Sequence, residues 1–145
     1  MEKSLLTEQQ LTKLFMVLAQ SLASGNLVNV RWCYHLPCTL STPDNVMLLT
    51  NEDDFVDTYQ AIFQQLKDDK FSSFKMLNCS YQTMTTGLYL VNIDWQFFSD
   101  DKQLITEFTA IYHLVEIEQQ LKIINVVSQD ISQSLVLSQS LTFQT

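Results

Sequence analysis

Glycine is almost missing from this sequence, with two residues in 145. Loops that cradle phosphate need several glycines to let the backbone approach the ligand, so nucleotide-binding loops of that kind are excluded. Proline is as scarce, also at two, which excludes collagen-like and linker-rich architectures. Basic residues are few: eight Lys and Arg stand against sixteen acids, giving a formal charge of −8 and a pI near 4.4. That balance excludes the basic footprint of a nucleic-acid binder and disfavours an anionic membrane surface. There is no apolar run of membrane-spanning length. The N-terminus, MEKSLLTEQQLTKLF, lacks the apolar centre and cleavage site of a signal peptide. Three cysteines, an odd number, fit a reducing compartment better than a disulfide framework. A cytoplasmic protein is therefore expected, and the glycosylation-type triplet Asn78-Cys79-Ser80 reads as incidental.

What is present is apolar material. Hydrophobic residues make up 46% of the chain and charged residues only 17%, the profile of one globular domain rather than a disordered segment. Leu11, Leu14, Phe15, Leu18 and Leu22 recur at helical spacing, predicting a helix over 5–24 with Thr7 and Gln10 as a capping box and Gly25-Asn26 as its stop. A short helix over 26–34 follows, with Leu27, Val30 and Tyr34 along one side and Pro37 preventing its continuation. Strands over 36–42 and 46–50 flank the turn Thr42-Pro43-Asp44-Asn45. A third helix over 52–67 starts with Glu52, Asp53 and Asp54 and buries Phe55, Tyr59, Ile62, Phe63 and Leu66. Residues 71–86 alternate imperfectly. Residues 88–98 alternate clearly, with Tyr89, Val91, Ile93, Trp95 and Phe97 facing one way and Asn92, Asp94 and Gln96 the other. Strands over 104–115 and 121–128 complete a meander. The division is a domain over 1–128 and a Ser- and Gln-rich extension over 129–145, readable as an added strand, a partner-packing arm or a frayed end.

This order, ααββαββββ, implies an α+β fold with about three helices on one face of a curved antiparallel sheet. It resembles the nuclear-transport-factor-2-like superfamily, the cystatin-like α+β roll that includes ketosteroid isomerase and the SnoaL-type cyclases. The resemblance rests on the helix exit Ala23-Ser24-Gly25-Asn26-Leu27, the stretch Tyr34 to Pro37, the helix after Thr50, and the closing strands at Phe108–Tyr112 and Leu121-Lys122-Ile123. It implies a cone-shaped sheet, an apolar pocket at the wide end and a homodimer through the outer sheet face. The family's isomerases place a Tyr in the first helix and an Asp at the first strand; neither is present here. Its epoxide hydrolases use an Asp–Arg–Asp set, whereas the single arginine, Arg31, lies on the short helix.

Candidate site residues follow. Tyr34, Tyr59, Phe63, Trp95 and Tyr112 are the expected lining of a pocket for a small, mostly apolar ligand. Asp94 and His113 interrupt apolar strands and are the candidates for acid–base chemistry, although alternation places both on the outer face, where they are read as cross-strand neighbours. Cys33, His35 and Cys38 form C-x-H-x-x-C without a fourth ligand, so buried cysteines rather than a metal site are expected, and no cofactor is implied. The leading functional expectation is a small-ligand-binding or scaffold-type homodimer. The alternative is a cofactor-independent lyase, isomerase or cyclase using Asp94 or His113 with a Tyr. Leu88, Leu90, Ile111, Val115 and Ile124 on the outer face mark the expected dimer surface.

Overall fold

The computed structural model describes residues 2–143. Its elements are α1 (Glu2–Ser24), α2 (Leu27–Trp32), β1 (Tyr34–Thr42), β2 (Asn45–Leu49), α3 (Glu52–Asp68), β3 (Phe71–Thr85), β4 (Leu88–Ser99), β5 (Leu104–Ile117), β6 (Gln120–Gln129), a short 3₁₀ turn (Ile131–Gln133) and β7 (Gln139–Ser140). The strands form one curved sheet in the order β2-β1-β6-β5-β4-β3-β7, antiparallel except where β1 meets β6. The fold is thus α+β, with three helices packed on one face.

Local chemistry explains the boundaries. Gly25 adopts φ +69 and Asn26 N–H donates to Ser21 O at 2.9 Å, closing α1 with a Schellman-type turn. The same Asn26 then caps α2, its side-chain oxygen accepting from Asn29 N–H at 3.0 Å. Asn51 caps α3 by accepting from Asp54 N–H at 2.9 Å, and three acids follow in the first turn. The predicted capping box at Thr7 and Gln10 is not used, because α1 begins at Glu2 and both residues lie within it. Tyr34 belongs to β1 rather than to the side of α2, since the short helix ends at Trp32. Pro37, which has no N–H to offer, sits where β1 has no registered partner in either neighbour.

Two bulges set the faces of the sheet. In β3 the register jumps between Leu77↔Asp94 and Ser80↔Asn92, so Asn78 and Cys79 oppose a single residue and Asn78 takes φ +50. In β6 it jumps between His113↔Asn125 and Leu114↔Ile123, leaving Ile124 unpaired. Inward residues are therefore Leu121 and Ile123 before that bulge and Val126 after it. The core lies between the inner sheet face and the helices. Phe15 of α1, Phe55 of α3 and Trp95 of β4 are each no more than 1% exposed, and each such burial contributes roughly 1.5–3 kcal/mol. Phe15 meets the Tyr112 ring edge-on at 4.7 Å, and Phe55 stacks on Tyr59 at 4.8 Å.

After Gln129 the chain crosses the outer face at Ser134, then joins the edge of the sheet beside β3 and reaches α1 at Ser140, Leu141 and Thr142. Its 3₁₀ turn packs against β5, β7 pairs with β3 at Ser80 and Tyr81, and Leu141 is buried. Residues 144–145 of the predicted extension lie outside the described residues.

Candidate functional site

Between the helices and the open end of the sheet lies a cavity of about 310 Å³. Leu18 and Leu22 of α1 form one wall, and Tyr59, Ile62 and Leu66 of α3 another. The α3 residues recur at i, i+3 and i+7, one face of the helix. Tyr34 and Leu40 of β1, Phe97 of β4, Phe108 and Tyr112 of β5 and Val126 of β6 form the floor. Ser41, Thr42 and Ser128 add hydroxyls from the strand ends, and Met47 of β2 closes one side. None of these side chains carries a charge near neutral pH. Two larger hollows, about 650 and 600 Å³, lie along α1, but both are lined largely by polar side chains such as Glu8, Gln9 and Lys13 in one and Thr7, Gln10 and Thr83 in the other. The smaller, apolar cavity is the better ligand site.

The polar feature of the cavity is a group of phenols. The Tyr34 and Tyr59 hydroxyls share a hydrogen bond at 2.5 Å. The Tyr112 hydroxyl accepts from Trp95 Nε1 at 2.9 Å. Three hydroxyls bring three protons, and the Tyr34–Tyr59 bond uses one; two are left without a protein acceptor among the described residues. Burial is the main force raising all three phenols above their ordinary range, and the neighbouring phenols add to the rise for Tyr34. They stay neutral at physiological pH and act as donors, not bases.

Of the five residues expected to line a pocket, Tyr34, Tyr59 and Tyr112 reach the cavity. Trp95 does not: it is 1% exposed and sits behind Tyr112, to which its indole donates. Phe63 does not line the cavity either: half-buried, with its ring 6.0 Å from that of Tyr59, it packs against the core. Leu40, Ile62, Leu66 and Val126 line the cavity and were not singled out as site residues. Ile62 and Leu66 are recognisable as the apolar face of α3, but no local pattern tells that the packing against them stops short.

Asp94 lies on the opposite face, though not in water: it is 4% exposed. Ser134 of the C-terminal segment donates to both carboxylate oxygens at 2.7 and 2.9 Å, and Asn78, turned by the β3 bulge, donates at 3.0 Å. Burial pushes this carboxyl up, but the bonds from Ser134 and Asn78, with smaller help from Thr109 and Asn92, outweigh it and hold the group below its ordinary value. Asp94 pairs across the strands with Thr109, and His113 with Leu90, so the two are not the cross-strand neighbours that were expected. His113 Nδ1 instead meets Asn125 Nδ2 at 3.0 Å, and Asn125 Oδ1 accepts from Thr39 at 2.5 Å. Neither Asp94 nor His113 faces the cavity. The C-x-H-x-x-C residues diverge: Cys33 and Cys38 are buried and His35 is exposed. The Cys33 thiol donates to Asn29 O at 3.4 Å. Among the described residues no cluster of three His, Cys, Asp or Glu is placed to hold a metal.

The curved sheet, the three helices on its inner face and the cavity between them define the cystatin-like α+β roll. The chain belongs to the NTF2-like proteins: a family model described as NTF2-like protein (DUF6841) matches residues 7–131. Among solved structures it is similar to an NTF2-like protein with a cystatin-like fold from Novosphingobium aromaticivorans (TM-score 0.74, 8% identity, 92% of this chain and 88% of that one). It is also similar to a cystatin-like protein of unknown function from Nostoc punctiforme (0.69, 11%, 86% and 90%). A third is a protein provisionally named a ketosteroid isomerase from Shewanella frigidimarina (0.65, 13%, 80% and 91%). At these identities the likeness is one of fold. No curated protein matches the sequence. No helix among the described residues is long and apolar enough to cross a membrane.

Proposed function

We propose that this protein binds a small, largely apolar molecule carrying an oxygen acceptor in the cavity between α1, α3 and the sheet. The observation that carries the reading is the union of an uncharged apolar wall with buried phenols that hold two more protons than they have acceptors. An apolar ligand gains from leaving water, and a carbonyl or ether oxygen accepts a proton that the protein leaves unused. Tyr112 is the best-defined donor, because its oxygen is already engaged by Trp95 and its proton is free. Titration calorimetry with acetophenone and ethylbenzene tests this. Acetophenone should bind about fivefold tighter, the worth of one net hydrogen bond, and Tyr112→Phe should shrink the gap. Equal affinities refute the acceptor; absence of binding by both refutes the cavity reading.

The same reading includes a homodimer. Leu90, Ile111 and Val127 surround the His113–Asn125–Thr39 track on the part of the outer face beside the C-terminal segment, a mixed surface of the sort that pairs proteins. A monomer by analytical ultracentrifugation at tens of micromolar would remove this element.

A further inference from the structure

The cavity does not end at β2. A surface groove of about 440 Å³ runs between β2 and α3, lined by Met47, Asp57, Thr58, Ala61, Ile62 and Gln65. Met47 and Ile62 also line the cavity, so these two side chains form the partition between the inner and outer compartments. Met47 is unbranched and flexible, stands on a five-residue strand at the end of the sheet, and is only half-buried. A partition of this kind is the natural place for a ligand chain to pass.

The two compartments differ in charge. The cavity has none. The groove has one charged residue, Asp57, and this carboxylate has no salt-bridge partner among the described residues. It sits on the helix face that also carries Ala61 and Gln65, at i, i+4 and i+8. No Lys, Arg or His lines either space. An amphiphile with its apolar part among Leu18, Leu40 and Val126 would bring its head group out beside Asp57 and Thr58.

From this we infer that the ligand is a cationic amphiphile, an amine whose apolar chain carries the oxygen acceptor into the cavity and whose ammonium lies in the groove against Asp57. The inference rests on the cavity reading above and adds the sign of the ligand's charge and the route past Met47. Asp57 is exposed, so its attraction is that of a single charge in a watery setting: about fivefold in affinity over a neutral head, and a similar penalty against an anion.

The test uses three probes with the same chain: octylamine, 1-octanol and octanoate, titrated calorimetrically at neutral pH and low salt. The order expected is octylamine, then octanol, then octanoate, each step about fivefold and narrowing with added salt. Asp57→Asn should bring octylamine level with octanol. Asp53→Asn, which removes a charge from α3 outside the groove, should leave the order intact and so separates a local contact from the general pull of an acidic protein. Octanol binding with no preference for the amine, octanoate binding as well as octylamine, or a preference that survives Asp57→Asn each overturns this inference and leaves the cavity reading standing. Failure of all three to bind overturns this inference, and the acetophenone titration then decides the cavity reading separately.

Discussion

Replacing Ser134 by Ala removes the hydroxyl that bridges both oxygens of Asp94 at 2.7 and 2.9 Å. The carboxylate stays beneath the C-terminal segment, 4% exposed, with Asn78 at 3.0 Å and the longer Asn92 contact at 3.5 Å as its remaining bonds to side-chain amides. A hydrogen bond to a charged group is worth about 1.5–3 kcal/mol, and a buried acceptor left short of a partner costs the same order. The expected loss at pH 7 is therefore about 2 kcal/mol, or several degrees in Tm for a domain of this size. The pH dependence gives the sharper test. Asp94 is held below its ordinary value in the folded state. Its contribution is thus complete above the unfolded carboxyl range near 4 and disappears as pH falls through the lower folded value. Urea unfolding of the wild type and Ser134→Ala should show the full gap at pH 7 and a narrowing gap below about pH 4. Asp94→Asn, having no proton to take up at this position, should flatten that acid limb. Equal midpoints at pH 7, or a gap unchanged at the lowest pH where the protein still folds, would refute the account of Asp94 as an ionised, hydrogen-bonded anchor for the segment.

Other outcomes follow from the same structure. Leu141→Ala, at a side chain 5% exposed in the segment beside β7, should cost about 2–5 kcal/mol by urea unfolding, showing that residues beyond 129 are part of the folded domain. Gly25→Ala should cost about 1 kcal/mol, because φ +69 disfavours any Cβ while the space around it is open; Gly25→Asn should cost less. Burial raises the thiols of Cys33, Cys38 and Cys79 to about 12, 11 and 12 respectively. Iodoacetamide at pH 8 should then label the native protein slowly at all three positions and rapidly only after denaturation.

Much of the fold is written locally. The alternation Val91, Ile93, Trp95, Phe97 names the inner face of β4, and Leu11, Leu14, Phe15 and Leu18 name that of α1; all are buried. Asp94 shows where such reading stops. Alternation places it on the outer face, and it is there, but its burial depends on Ser134, forty residues later, docking across the sheet. No spacing rule reports that contact. The bulges at Asn78-Cys79 and Ile124 are equally silent in the sequence, yet they decide which way Tyr81 and Val126 point. The cavity is the least legible feature. Tyr34, Tyr59 and Tyr112 stand out as aromatic residues with polar tips, but whether Trp95 and Phe63 join them depends on how closely the helices pack, a property of the whole assembly.

Methyl-resolved NMR during titration with acetophenone reports whether a ligand enters the cavity on the inner side of the sheet. Shifts should concentrate at Leu18, Leu22, Leu40, Ile62, Leu66 and Val126, with Ile111, Val115 and Ile124 on the outer face unmoved. Shifts centred on the outer-face methyls, or none at saturating ketone, would contradict a ligand site there.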